Sequence, residues 1–370
     1  MKIAMIGHKL VPSRSGGIEV AVEALAVRMA KQGHDVTLYN RGRHPHFHKQ
    51  IYKGVRIRSV PVLPFQGIAA VMGSVFATVR AIFGSYDCIH FHAEGIAAMA
   101  FLPRLFGIRT VVTIHGLDWQ RSKWGNFASW YLKLGERVAA SCADEIIVLS
   151  QAVKQYFLDT YGRETVYIPN GMPPAVLRPA SLIREKWGLE KDQYFLYLGR
   201  IVPEKGLETL IRSFSQVQTQ KKLVIAGSPD DLPEHYAHLR EISANDDRIL
   251  FTGFVKGQVM EELYSNCYVY CLPSRLEGMP ISLLEALSFG NCCLTSNIPE
   301  CTEVLGNFGF HFPSGSVADL RTVLQMLCDF PELVEDRRNR VRMDFTHHTW
   351  DEVTDETLTV YQEHGEKRES

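Results

Sequence analysis

The amino-acid sequence predicts an α/β protein of two Rossmann-like domains, each a parallel sheet with helical crossovers. Three observations predict it. The chain has 370 residues, and a single core stops growing at roughly 250. Short β-rich runs alternate with segments of helical period through both halves, as parallel strands joined by crossover helices require. Hydrophobic residues make up 46% and charged residues 22%, a globular enzyme's composition with no low-complexity tract.

In the first half, strands are expected at Lys2–Gly7, Asp35–Asn40, Cys88–Phe91, Thr110–His115 and Glu145–Leu149. A helix is expected over Ile18–Gln32, with Ile18, Val22, Leu25 and Met29 on one face and Gly33 marking its end. In the second half, strands are expected at Phe195–Leu198, Lys222–Ala226, Ile249–Thr252, Tyr268–Leu272 and Cys292–Thr295. Helices at Leu207–Gln218, a segment ending near Asn245, Gly257–Asn266 and Pro280–Phe289 separate them. The stretch Pro169 to Pro179 suggests a division into domains 1–178 and 179–349, with a helix in 350–365 packing back on the first. Ligands of open parallel sheets bind at the carboxyl ends of the strands, so two such domains facing each other predict a site in an interdomain cleft.

The one long apolar stretch, Phe65 to Phe83, contains Gln66 and Arg80, so it falls short of the roughly 20 apolar residues a membrane span requires. A helix over Ile68–Phe83 groups Val71, Val75, Phe76, Val79 and Phe83 on one side. That side is expected to pack in the core, with a lipid surface as the alternative. Cys88, Cys142, Cys267, Cys271, Cys292, Cys293, Cys301 and Cys328 form no CxxC pair, and Met1 leads straight into a strand-like run rather than a signal peptide. The cysteines therefore read as reduced, buried thiols of a cytoplasmic protein.

The formal net charge is −1, but it conceals an asymmetry. Residues 1–180 carry 21 Lys+Arg against 11 Asp+Glu, and residues 181–370 carry 19 against 30. A basic first half fits an anionic partner, either a membrane surface or a phosphate-bearing acceptor, better than nucleic acid; mutual attraction of the halves is the plainer alternative.

Three loops carry candidate chemistry. After the first strand, Gly16 and Gly17 open a helix; lacking Cβ atoms, they let backbone N–H groups approach a phosphate at the helix N-terminus. The loop is not GxGxxG, and an ordinary turn is the alternative. In Leu198-Gly-Arg-Ile-Val-Pro-Glu-Lys-Gly206, Arg200 and Lys205 follow a strand end, where a fork-shaped and a point cation together could neutralise a diphosphate; a solvated, charged loop is the alternative. In Ser274-Arg-Leu-Glu-Gly-Met-Pro-Ile-Ser-Leu-Leu-Glu-Ala286, Glu277 precedes a helix and Glu285 lies inside it. Carboxylates suit diols, so the pair fits a sugar and a ribose; a first-turn charge and a surface residue are the structural alternative.

Gly16-Gly17, Gly199-Arg200…Glu204-Lys205-Gly206 and Glu277-x7-Glu285 with its Gly-Met-Pro insert, in this order, resemble the retaining glycosyltransferases of the GT-B fold, the large family four. The resemblance spans nearly the whole chain. It implies that Arg200 and Lys205 hold the donor diphosphate, Glu277 the transferred sugar and Glu285 the ribose, with Gly199 also at the donor. Gly278, Met279, Pro280 and Ile281 would line the donor, and Gly16-Gly17 would reach its phosphate from the other domain. His115, in Val111-Val-Thr-Ile-His-Gly116, matches a strand-end histidine near the donor sugar, though a lone histidine otherwise reads as structural.

The stretch from His115 to Trp124 is similar to a rhamnosyltransferase-like subgroup of bacterial surface-polysaccharide assembly. Trp119 and Trp124 then either stack on acceptor sugars, with Arg121 and Lys123 facing phosphate, or pack in the loop, and Asp118 is an acceptor ligand or a structural residue on the same terms. The family's usual mechanism implies attack on the face from which the nucleotide leaves, with no protein nucleophile. No Asp-x-Asp of the metal-dependent transferases is present in the sequence, and neither metal nor cofactor is expected. The histidine run within Arg41–Lys49 reads as a basic loop rather than a zinc site. Expected partners are a nucleotide sugar, a saccharide or polyprenyl-diphosphate-linked acceptor, and the anionic inner face of the cell membrane. A nucleotide-sugar 2-epimerase of the same architecture and a non-catalytic nucleotide-sugar-binding subunit are the rival readings.

Overall fold

The computed structural model describes residues 1–14, 16–42, 51–62, 68–120, 125–228 and 232–362, without the side chains of 68–70. It divides into two units, Met1–Gly171 with His348–Ser370, and Met172–His347. Arg178 goes with the second: its backbone N–H donates to Ser265 Oγ at 3.0 Å and its guanidinium to Glu261 at 3.0 Å.

In the first unit the described strands are β1 (Lys2–Ile6), β2 (Asp35–Arg41), β3 (Ile51–Tyr52), β4 (Val55–Val60), β5 (Cys88–His92), β6 (Arg109–Ile114), β7 (Glu145–Val148) and β8 (Val166–Tyr167). They form one sheet in the order β3-β4-β2-β1-β5-β6-β7-β8, parallel except for the β3–β4 pair. β5 and β6 are buried along their whole lengths, which is why parallel strands covered on both faces read as continuous apolar runs. Toward the edge, β4 alternates between buried and exposed positions and was not anticipated, nor were the two-residue strands β3 and β8.

One sheet face, with Ala4, Ile89, Phe91 and Val112, packs against Ala77 and Ala81 of the helix Ile68–Ile82, Ile96 and Ala97 of Glu94–Ala97, and Ala139 of Asn126–Cys142. The core-packing expectation for Phe76, Val79 and Phe83 is corrected here: all three are exposed. The buried side of that helix instead carries Ser74, Ala77, Thr78 and Ala81, small residues that let it approach the sheet closely.

The first and last helices of this unit, Gly17–Lys31 and Trp350–Gln362, pack together. Arg28 pairs with Asp351 at 2.8 Å and Gln32 donates to Asp355 at 2.7 Å. Arg109 donates to the Val360 carbonyl at 2.6 Å, and the Tyr361 hydroxyl lies 2.5 Å from His90 Nδ1. The helix Trp350–Gln362 is thus pinned to two central strands.

In the second unit, β9 (Tyr194–Leu198), β10 (Lys222–Ala226), β11 (Ile249–Gly253), β12 (Val269–Leu272), β13 (Cys293–Ser296) and β14 (Phe310–Phe312) form an all-parallel sheet in the order β11-β10-β9-β12-β13-β14. The order reverses between β9 and β12, the switch at which open α/β sheets place ligands. β14, three residues long, was not anticipated, and the helix expected to reach Gln218 ends at Phe214. All eight cysteines are free, but Cys142 and Cys328 are only partly buried, against the expectation. No helix among the described residues is long and apolar enough to cross a membrane.

Candidate functional site

In the second unit three strand ends converge. The loop after β9 closes in a tight turn, Pro203–Lys205, with Gly206 left-handed at φ 65°. A Cβ on Gly206 would lie 2.1 Å from the Pro273 carbonyl oxygen, so only glycine lets this turn press against the end of β12. The Arg275 N–H donates to the Glu204 carbonyl at 2.8 Å, and the hydroxyl of Ser296, the last residue of β13, donates to the Ser274 carbonyl. These ties bring Lys205 Nζ within 2.5 Å of Glu277 Oε1, which also accepts from Ser274 Oγ at 2.5 Å.

Both charges are largely withdrawn from water, with 14% of the Lys205 and 8% of the Glu277 side chain exposed. Such a pair is held by geometry rather than by net gain, because desolvation offsets much of the attraction. Arg200 lies on the same loop, its carbonyl accepting from Tyr197 at 2.6 Å. Gly199 donates to the Ala226 carbonyl at 3.0 Å.

Gly278 and Met279 lead to Pro280, which caps the helix Ile281–Ser288 rather than entering it. Glu285 is buried on this helix, and its Oε2 accepts from the Tyr264 hydroxyl at 3.1 Å. A carboxylate so engaged has less acceptor capacity left for a ribose than its sequence position suggests.

In the first unit, Gly16 caps the helix Gly17–Lys31 in extended conformation. A carboxylate already lies beside the helix N-terminus: Glu19 Oε1 accepts from the Lys9 N–H at 2.9 Å, and its Oε2 lies 2.6 Å from where a Gly16 Cβ would sit. A phosphate brought here meets that negative charge. His115 follows β6, and its Nε2 lies 3.1 Å from Nδ1 of His92 at the end of β5. Burial pushes His8 and His115 down to about 4 and His90 to about 3, and holds His92 well below its ordinary value. Near pH 7 these rings are therefore neutral and act by hydrogen bonding.

Gly7 and Glu94 shape this end of the sheet. Gly7 has φ 135°, and a Cβ there would lie 2.1 Å from the His92 carbonyl oxygen. Glu94, buried beside Asp118 and Glu136, is pushed well above the usual carboxylate range, chiefly by burial. It accepts from the Asp118 N–H at 3.0 Å and so anchors the Asp118–Gln120 turn. Lys133 Nζ lies over the Trp119 ring, 4.1 Å from its centroid, covering a face that sugar stacking would use. Arg121, Lys123, Trp124 and the histidines of the 43–49 run lie outside the described residues.

Residues 180–343 match the family described as glycosyl transferases group 1, and residues 15–176 match glycosyltransferase family 4. The protein is a glycosyltransferase. An uncharacterized glycosyltransferase of Methanocaldococcus jannaschii is 27% identical, covering 98% of each chain. Among solved structures, sucrose-phosphate synthase of Thermosynechococcus elongatus superposes with a TM-score of 0.81 at 20% identity over 98% of each chain. HepE of Anabaena, solved with UDP and glucose, gives 0.79 at 16% identity over 98% of this chain and 99% of that one. The fold is thus GT-B, with two parallel-sheet Rossmann-like units.

Sequence reasoning missed three residues that support this glycosyltransferase's strand ends: His92, Glu94 and Ser274. His92 had a signal, since His90 and His92 repeat with period two on an otherwise apolar strand. Ser274 and Glu94 had none.

Proposed function

We propose that this glycosyltransferase moves a sugar from a nucleotide diphosphate donor, with retention and without a metal, to a saccharide acceptor carried on polyprenyl diphosphate. The setting is surface-polysaccharide synthesis at the cytoplasmic face of the membrane. The observation that carries the donor reading is the Lys205–Glu277–Ser274 cluster at the switch point of the second sheet. Lys205 is a point charge suited to the leaving diphosphate, and Arg200 on the same loop adds a bidentate fork. Together they supply transition-state charge stabilisation. When diphosphate engages Lys205, the Glu277 carboxylate is released to accept from hydroxyls of the transferred sugar.

HepE, with UDP and glucose bound, supports the donor class. The surplus of cations in residues 1–180 supports a phosphate-bearing acceptor. In the first unit, the neutral His115 serves as a hydrogen-bonding partner for the sugar, and Gly16-Gly17 reach the phosphate if Glu19 turns aside. Asp118 and Trp119, with Arg121 and Trp124, serve the acceptor.

The test is chromatography of products from a panel of nucleotide diphosphate sugars and acceptors in EDTA, with Lys205→Ala and Glu277→Gln alongside wild type. The expected result is free nucleotide diphosphate plus an acceptor carrying the transferred sugar in the donor's anomeric configuration, with less product from both variants. An isomerised donor would establish epimerisation instead. Binding without turnover would establish a sugar-nucleotide-binding subunit, and a requirement for divalent cation would overturn metal independence.

A further inference from the structure

The first unit turns large apolar side chains to solvent on one flank. On the helix Ile68–Ile82, Phe76 and Val79 are exposed, and Phe83 follows at 80% exposure. On the helix Phe101–Leu105, Phe101 is exposed, Leu105 is 75% exposed, and Phe106 continues the strip. On Asn126–Cys142, Phe127, Trp130 and Leu134 are exposed at spacings of three and four, so they form one stripe, and Phe127 stacks on Trp130.

These stripes share a direction. The helix Phe101–Leu105 packs against both of the others. Ala77, Ala81 and Ala139 on the inner sides of the long helices join a single core on one sheet face, so the outer sides look away from that same face. Isolated exposed apolar residues are ordinary, but a contiguous set marks an interaction surface.

Charge selects the occupant. The helices Ile68–Ile82 and Phe101–Leu105 contain no acidic residue, and the one acid of Asn126–Cys142, Glu136, is buried. Exposed cations border the stripes: Arg80, Arg104, Lys133 and Arg137. Aromatic and aliphatic groups rimmed by cations, with no exposed carboxylate on the helices themselves, complement an interface of acyl chains below anionic headgroups.

We propose that this three-helix flank of the first unit is the surface by which the enzyme docks on an anionic lipid bilayer, Phe83 and Leu105 entering the headgroup layer and Arg80 and Arg137 meeting the lipid charge. The inference takes up the membrane setting proposed above but is independent of the donor chemistry.

The test is co-sedimentation with vesicles of phosphatidylcholine alone and of phosphatidylcholine with phosphatidylglycerol, at low and high NaCl. Phe83→Ser/Leu105→Ser and Arg80→Glu are compared with Leu177→Ser/Met343→Ser, whose targets are equally exposed apolar residues of the second unit. The expected result is wild-type sedimentation with anionic vesicles only, weakened by salt, reduced at least tenfold by either flank variant and unchanged in the control. Circular dichroism verifies folding, and donor-binding thermal shifts are retained by all three variants, so a failure of docking is distinguishable from a failure of the donor site.

Equal binding to uncharged vesicles, or flank variants that sediment like wild type, would overturn the proposal. So would light scattering that shows a wild-type dimer, a monomeric double variant and no vesicle binding, which would make the flank a self-association face.

Discussion

The two units build the ends of their sheets in opposite ways. In the first, His8, His92 and His115 crowd the carboxyl ends of β1, β5 and β6 as neutral rings, their protonation suppressed by burial. In the second, Lys205 and Glu277 confront each other as a largely buried ion pair. The same topology thus offers hydrogen-bonding groups of fixed neutrality in one unit and strong charge in the other. A nucleotide diphosphate needs its charge met and a sugar needs its hydroxyls oriented, and the proposed function assigns the first task to the charged strand ends and the second to the neutral ones. It can be broken from either side.

The largest expected effect comes from the charged side. Lys205→Ala removes the cation assigned to the diphosphate, and kcat/KM is expected to fall by about 10²–10³, the usual loss for one electrostatic contact to a transition state. Lys205→Arg keeps the charge but not the point geometry and should restore part of the loss. Glu277→Gln in the same assay should raise the donor KM, since an amide accepts a sugar hydroxyl less well than a carboxylate. Unchanged kinetics in Lys205→Ala would show that the ion pair is structural.

Acid should reveal the neutral side. In the unfolded chain His8 and His90 titrate near 6.5, whereas in the fold they are held down to about 4 and about 3. Their contribution is fully present above pH 6.5 and is lost as pH falls from 6.5 toward 4, because only the unfolded state takes up protons there. A depression of that size is worth on the order of 3 kcal/mol for each ring by pH 4, a large share of a typical domain's stability. Urea midpoints at pH 7, 5.5 and 4.5 should therefore fall steeply. The slope should flatten in His8→Gln, whose amide can still donate to Asn40 Oδ1, now 2.9 Å from the ring Nε2.

Much of this was legible in the sequence. The buried parallel strands read as unbroken apolar runs, and Lys222–Ala226 matches residue for residue. The site loops were visible because glycine and charge follow strand ends. The Lys205–Glu277 contact was not, since 72 positions separate the partners and only the convergence of β9 and β12 joins them. The helix Ile68–Ile82 misled because large apolar residues were assumed to face inward; close approach to the sheet selects Ala77, Thr78 and Ala81, and the large residues turn outward. The edge strand β3 and its neighbour β4 escaped because half-exposed strands lack the apolar continuity of the centre.

The smallest expected effect joins the histidine row to the end of the chain. His90 Nδ1 lies 2.5 Å from the Tyr361 hydroxyl and its Nε2 2.7 Å from Thr113 Oγ1. Each hydroxyl can donate or accept, so the neutral ring is satisfied in either tautomer. Tyr361→Phe keeps the buried ring but leaves Nδ1 without its partner, at about 1–3 kcal/mol for a buried group so orphaned. If the helix Trp350–Gln362 does no more than cover the sheet, the loss should appear only in the urea midpoint. His90 also lies against His92, with ring centroids 4.0 Å apart and the rings tilted by 37°, and His92 Nδ1 lies 3.1 Å from His115 Nε2. With His115 holding the donor sugar as proposed, a disturbance that passes along the row should also raise the donor KM severalfold while kcat stays near wild type. A midpoint shift with unchanged KM would confine Tyr361 to stability and detach the row from the donor site.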